Sequence, residues 1–325
     1  MPDSNLDSPT LGSRHKTKWP RLQVLSRELF VKWAHDDERG AGPGTMARVP
    51  LGQQKLVDAY FQSTAPEWAA IYQRKEEVYA EIYQQRRTVA LSLVDKMALP
   101  QSAHVLEIGC GPGLSTVALA QRGYLVHAID RVSAMTEASR KRATRVGLQH
   151  RVMTSISDVR NLAFPDNSFQ LVLMIGVTEW LDSLDQPLKE IARVIAPGGL
   201  LIVSSDNTWA LHRLVDPILN PALAPLKKAR CKTRRALGLP QLGPREYAYS
   251  IRHFNSRLAA AGFEIREGIT VGFGPFSFFR RRLFSERRGL RINQQFQNWA
   301  NAGVPIVRTM GSVYIVAAAK SISGG

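Results

Sequence analysis

Between His104 and Ser204, short apolar or β-branched runs alternate with stretches of helical periodicity. The runs are His104–Ile108, Leu125–Ile129, Arg151–Ile156, Phe169–Ile175 and Leu200–Ser204, and the helical stretches are Ser115–Arg122, Ala134–Val146 and Pro187–Ile195. Strands that alternate with helices of this length can close only as right-handed βαβ units, giving a parallel sheet covered on both faces. The pattern therefore predicts an α/β doubly wound sheet, with a further strand over Phe263–Phe273 and a closing strand over Gly311–Lys320. A helix over Ile251–Ala261, stopped by Gly262, precedes the sixth strand, and Leu56–Met97 reads as helical with a break at Pro66.

The first strand runs into Glu107-Ile108-Gly109-Cys110-Gly111-Pro112-Gly113. Three alternating glycines let the backbone turn sharply and approach a ligand without β-carbons in the way, and the next helix presents unpaired N–H groups to it. A dinucleotide turn would need glycine at position 114, where Leu114 stands. Glu107 would repel a pyrophosphate but suits a zwitterionic or cationic ligand. Asp130 ends the second strand, where a carboxylate can accept both hydroxyls of a ribose, and Asp158 follows the third, where it can accept from an adenine amino group. The alternative for both aspartates is an ordinary turn-forming role at a strand end.

These residues carry a resemblance. The segment Glu107–Gly113 resembles motif I of the class I S-adenosylmethionine-dependent methyltransferases, and Asp130 matches the acidic residue of their second strand. Ser157-Asp158 with Leu162–Val172, and Leu188–Gly199, are similar to the type 11 subgroup. The resemblance implies a seven-stranded, mostly parallel sheet with an antiparallel seventh strand, and S-adenosylmethionine as the cofactor. It places Gly109, Gly111 and Gly113 along the methionine part and Glu107 near its amino group. Asp130 falls on the ribose, Asp158 and Val159 beside the adenine, and Ile175 and Gly176 on the methyl-donor side. Tyr60 and Tyr72 lie in a segment like the N-terminal lid of related enzymes; for Tyr72, contact with the cofactor carboxylate and simple lid packing both remain open.

Composition bounds the rest. The chain is 44% apolar and 22% charged, and its two cysteines, Cys110 and Cys231, form no pattern for a metal or a disulfide framework. No apolar stretch is long enough to span a bilayer. These features fit a soluble protein of the cytoplasm. Residues 1–50 read as a flexible extension holding one short amphipathic stretch, Leu22–Trp33, ahead of a methyltransferase domain over 51–325 with lid helices at 51–100.

The net charge of +16 is unevenly placed. Residues 101–205 carry 10 Lys and Arg against 9 acids, whereas 227–310 carry 17 against 4. The excess falls in two insertions, 207–248 and 275–309, the second containing Phe276-Ser277-Phe278-Phe279-Arg280-Arg281-Arg282-Leu283-Phe284. Such a segment fits an anionic or lipid-linked acceptor, a peripheral membrane contact, or a folded lid with solvated arginines. It could also grip RNA phosphates while its aromatics stack on bases, but no recognisable appended RNA-binding module accompanies it, which disfavours nucleic acid.

The expected reaction is methyl transfer to a small or lipid-like acceptor, at oxygen. The alternatives are C-methylation of a quinone precursor, carboxylate methylation of a tetrapyrrole, or cofactor binding without catalysis. The Tyr60–Tyr72 stretch resembles magnesium-protoporphyrin methyltransferases over too short a span to choose among them. Glu179, Asp206, His212 and His253 are candidate bases, and no pattern assigns the role.

Overall fold

β-Branched and apolar side chains at nearly every position of the central strands leave no solvent face, so both sides of the sheet must be covered. The computed structural model, which describes residues 52–74, 76–225 and 246–321, shows that arrangement. Strands β1 (His104–Ile108), β2 (Leu125–Asp130), β3 (Val152–Ile156), β4 (Phe169–Met174) and β5 (Ile195–Asp206) are mutually parallel. Strand β7 (Val313–Lys320) enters between β5 and β6 (Phe263–Val271), antiparallel to both. The sheet order is β3-β2-β1-β4-β5-β7-β6.

Alternate residues of β1 feed different cores. Val105 joins one cluster with Leu93 and Val94, while Leu106 and Ile108 join another with Leu188 and Ile191. Helices α2 (Val78–Lys96), α3 (Leu114–Gln121) and α4 (Ser133–Arg145) precede α5 (Asp185–Val194), which buries Leu188, Ile191 and Val194 as one stripe. Helix α7 (Ile251–Ala260) is capped by the Ser250 hydroxyl, which accepts from His253 N.

The lid helix α1 (Gln53–Ile71) runs unbroken through Pro66, which corrects the expected break there. A proline at position 66 orphans the carbonyl of Gln62, and Gln62 is exposed, so water can take that carbonyl. The interruption falls after Ile71, before α2 begins at Val78.

The second insertion is ordered. Ser277–Phe278 and Arg281–Arg282 pair as a small antiparallel hairpin, followed by α8 (Glu286–Asn301). The buried face of α8 is polar: Asn293 accepts from Phe273 N at 2.6 Å and Gln297 from Gly272 N at 3.1 Å, so amide side chains satisfy the backbone after β6. The extension over 1–50, with Leu22–Trp33, lies outside the described residues, as does 226–245 of the first insertion. Its described part holds α6 (Leu211–Val215).

Candidate functional site

Chain order reverses between β1 and β4, so the crevice beyond their C-terminal ends is where a doubly wound sheet takes ligands. The glycine turn lies there. Gly109, Gly111 and Gly113 all have positive φ (72°, 49° and 80°). A β-carbon on Gly113 would come within 2.6 Å of Ser139 Cα, so only glycine lets α4 pack this close. A β-carbon on Gly111 would meet no protein atom within 4 Å, which leaves that face of the turn open to a ligand. Gly109 N and Cys110 N both donate to the Ile129 carbonyl, tying the turn to β2.

A buried carboxylate, Glu107, and a half-buried one, Asp130, flank the turn. Glu107 accepts from Thr116 Oγ1 at 2.5 Å, and Ser139 Oγ lies 3.2 Å from that hydroxyl. Burial pushes its carboxyl up to about 8, against the lowering effects of Thr116 and Arg87. A neighbouring ammonium group would favour ionisation. Asp130 ends β2 and accepts from Gly111 N at 3.1 Å and Val132 N at 3.0 Å, one bond per oxygen. Burial raises its carboxyl as well. Each oxygen keeps a lone pair for a further donor.

Asp158 is more heavily engaged. It accepts from Arg160, through Nη2 at 2.7 Å and the backbone N at 3.0 Å, and from Arg131 Nη1. These bonds hold the carboxyl below its usual range despite partial burial. Arg131 also forks onto Asp58 of α1 at 3.1 and 2.9 Å, so one guanidinium ties the lid to the end of β3. An adenine amino group would have to share Asp158 with these cations. Val159 is buried in the core cluster around Leu106.

Beyond β4, Ile175 packs on the core and Gly176 adopts φ 78°. A β-carbon at Gly176 would lie 2.7 Å from Arg86 Nη2, so the glycine admits the Arg86 guanidinium from α2. Arg86 pairs with Glu179 at 3.3 Å, both buried, and stands over the Tyr83 ring at 4.9 Å. Among the described residues, none hydrogen-bonds Glu179 Oε2 or Arg86 Nε. Burial, with the Asp206 carboxylate nearby and Arg86 opposing, pushes Glu179 up to about 7. Tyr60, Phe61, Trp68 and Trp180 form the aromatic wall beside this pair, with Phe61 and Trp180 centroids 5.1 Å apart.

The other candidate bases have partners of their own. His212 is buried against Ser312 Oγ at 3.1 Å, and desolvation lowers it to about 3. His253 is exposed and stacks on Tyr249. Asp206 is paired with Arg213 at 2.8 Å. Tyr72 caps the C-terminus of α1 and lies near Arg86 and Arg87.

Arg87 had no signal in the sequence beyond its place on a lid helix. Its Nη2 donates to the Leu114 carbonyl at the start of α3, and its buried Nε has no protein partner. A cation here and the Glu107 carboxylate across the turn match the two charges of an amino acid zwitterion. Open space at Gly111, the orphaned Arg87 Nε–H and the two carboxylates all fit S-adenosylmethionine. Among the described residues no cluster could hold a metal ion.

A family profile described as a methyltransferase domain (type 11) matches residues 106–203, the span from the glycine turn to β5. Residues 106–203 thus carry a methyltransferase domain, of the class I S-adenosylmethionine-dependent type. Among curated relatives, it is 33% identical over 143 residues to a malonyl-[acyl-carrier protein] O-methyltransferase of Halorhodospira halophila, covering 42% of this chain and 47% of that protein. It is 28% identical over 111 residues to sterol 4-C-methyltransferase strm-1 of Caenorhabditis elegans, covering 34% of this chain and 33% of that one. The chain thus spans about half or less of the length of these methyltransferase relatives. Magnesium protoporphyrin IX methyltransferase from Synechocystis PCC 6803, solved with S-adenosylhomocysteine bound, shares the fold at a TM-score of 0.55 and 20% identity, covering 83% of this chain and all of that one.

Proposed function

We propose that this protein transfers a methyl group from S-adenosylmethionine to an oxygen of a small or lipid-like acceptor. The observation that carries the reading is the glycine turn between the carboxylates of Glu107 and Asp130, with a guanidinium opposite. In it Gly109, Gly111 and Gly113 pass the amino acid part, Glu107 faces the ammonium, and Arg87 with Tyr72 faces the carboxylate. Asp130 accepts from the ribose hydroxyls. When bound, S-adenosylmethionine supplies a methyl group already activated by the sulfonium.

The protein's remaining tasks are alignment, exclusion of water and removal of a proton. Glu179 is placed for the last. Its Oε2 is unengaged within the protein, its carboxyl is poised near neutrality, and Arg86 holds it beside Gly176 at the methyl-donor side. A hydroxyl acceptor gives its proton to Glu179 as its oxygen takes the methyl. The aromatic wall of α1 and Trp180 shields that reaction from water and favours an apolar acceptor body. The acyl-carrier and sterol enzymes among its relatives support a lipid-like acceptor, which would bring the protein to a membrane surface. No helix among the described residues is long and apolar enough to cross a membrane.

The test is methyl transfer from labelled S-adenosylmethionine to hydroxyl, carboxylate and carbon acceptors of matched apolar bodies. The reading requires a hydroxyl acceptor and a rate that rises with pH through about 7 and is lost in Glu179→Gln. Transfer to a carboxylate with no such pH dependence would replace it with the ester-forming alternative.

A further inference from the structure

Large apolar side chains are exposed at several places, but they concentrate on the hairpin of the second insertion. Phe278 is 48% exposed, Phe279 59%, Leu283 48% and Phe284 40%. Phe279 and Arg280 form the two-residue turn, with φ of 47° and 64°. A turn with both central residues left-handed ordinarily takes Asn-Gly, and a phenylalanine there is strained. The Phe279 ring meets Phe278 edge-on, with centroids 4.9 Å apart, and stays largely open to solvent.

The tip is nonetheless held firmly. Asp216 accepts from Ser277 Oγ at 2.6 Å and Arg280 N at 2.9 Å, and Leu283 N donates to the Phe276 carbonyl. Buried Phe276 contacts Phe284 and Phe296, and Phe296 contacts Trp299, itself 43% exposed. Around this apolar row residues 275–309 carry 7 arginines and a single acid, Glu286, which is paired with Arg282. Arg281, Arg287 and Arg288 are exposed.

We propose that this hairpin, with Leu283 and Phe284 behind it, is a docking element for an anionic lipid bilayer. A hairpin turn with exposed aromatic rings can insert among acyl chains, while the exposed arginines beside it reach the headgroups. Nucleic acid would call for rings lining a groove, as stacking platforms do; here Phe279 stands on an exposed two-residue turn with Phe278 beside it. Glu286 Oε2 also accepts from Val78 N, so the element packs on the start of α2, the helix that carries Arg86 and Arg87. Docking therefore sets the lid of the candidate site at the lipid surface. The inference goes beyond the methyl-transfer reading and stands on separate residues.

The experiment is co-sedimentation of the full chain with vesicles of phosphatidylcholine containing phosphatidylglycerol, and with phosphatidylcholine alone. Wild type should pellet with the anionic vesicles, less so at high salt. The double variant Phe278→Ser with Phe279→Ser should bind them weaker by about tenfold or more, the scale of exposing one buried aromatic ring or more. The variant Arg281→Gln, Arg287→Gln, Arg288→Gln should lose roughly a hundredfold, about fivefold per arginine, and with it the preference for anionic lipid. All five substituted side chains lie outside the cofactor site, so S-adenosylhomocysteine binding should be unchanged in both variants and reports correct folding. Failure of wild type to pellet, or equal pelleting of the phenylalanine variant, overturns the proposal. So does RNA binding that the same phenylalanine changes abolish. A wild type that binds vesicles but not S-adenosylhomocysteine would instead contradict the methyl-transfer reading alone.

Discussion

Raising the pH from 6 to 8 should tighten S-adenosylhomocysteine binding, because the ligand's ammonium needs Glu107 ionised and burial holds that carboxyl up to about 8. At pH 6 about one Glu107 in a hundred is ionised, and at pH 8 about half, so the association constant should rise roughly fiftyfold. Calorimetry at pH 7 in two buffers of different ionisation enthalpy should show release of about 0.9 proton per ligand bound, the fraction still protonated in the free protein. The sign for stability is opposite. A folded-state value above the ordinary 4.5 means that the folded protein holds the proton more tightly. Its contribution is complete below about pH 4.5 and falls away as pH rises towards 8, by at most about 5 kcal/mol. Glu107→Gln should flatten both profiles, melting less pH-dependently while binding weakly at every pH. Wild-type affinity that does not change with pH, or the same proton release in Glu107→Gln, would refute the reasoning.

Gly113→Ala places a β-carbon 2.6 Å from Ser139 Cα at a left-handed φ and should cost about 2–4 kcal/mol in denaturant unfolding, with cofactor affinity falling in parallel. Glu179→Gln should lower kcat by about 10²- to 10³-fold with little change in S-adenosylhomocysteine affinity, whereas a purely structural role would show as a lower Tm. Arg131→Gln cuts the fork between Asp58 and Asp158 and should speed amide exchange at the start of α1 more than elsewhere.

The sheet was legible because its central strands are largely apolar runs separated by helical stretches; β1 over His104–Ile108 coincides with its apolar run. The glycine turn was legible for a related reason, since three alternating glycines at a strand end have few structural uses other than close approach. Pro66 misled because a proline on the solvent side of a helix removes a bond that water replaces. Arg86, Arg87 and Arg131 were invisible as site residues: an arginine on a helix reads as a solvated charge, and only the tertiary packing of α2 against Gly176 and Leu114 turns two of them inward. The polar face of α8 escaped for the same reason, because Asn293 and Gln297 serve the backbone of another segment.

The central claim is that the turn at 109–113, with Asp130 beside it, is an S-adenosylmethionine site. The most direct measurement is calorimetric titration of wild type and Asp130→Ala with S-adenosylhomocysteine and, separately, with NAD. The account predicts saturable S-adenosylhomocysteine binding, weakened by about 1–3 kcal/mol in the variant as charge-assisted ribose hydrogen bonds are lost, and no NAD binding to either protein. Tight NAD binding without S-adenosylhomocysteine binding, or an affinity untouched by Asp130→Ala, would contradict it.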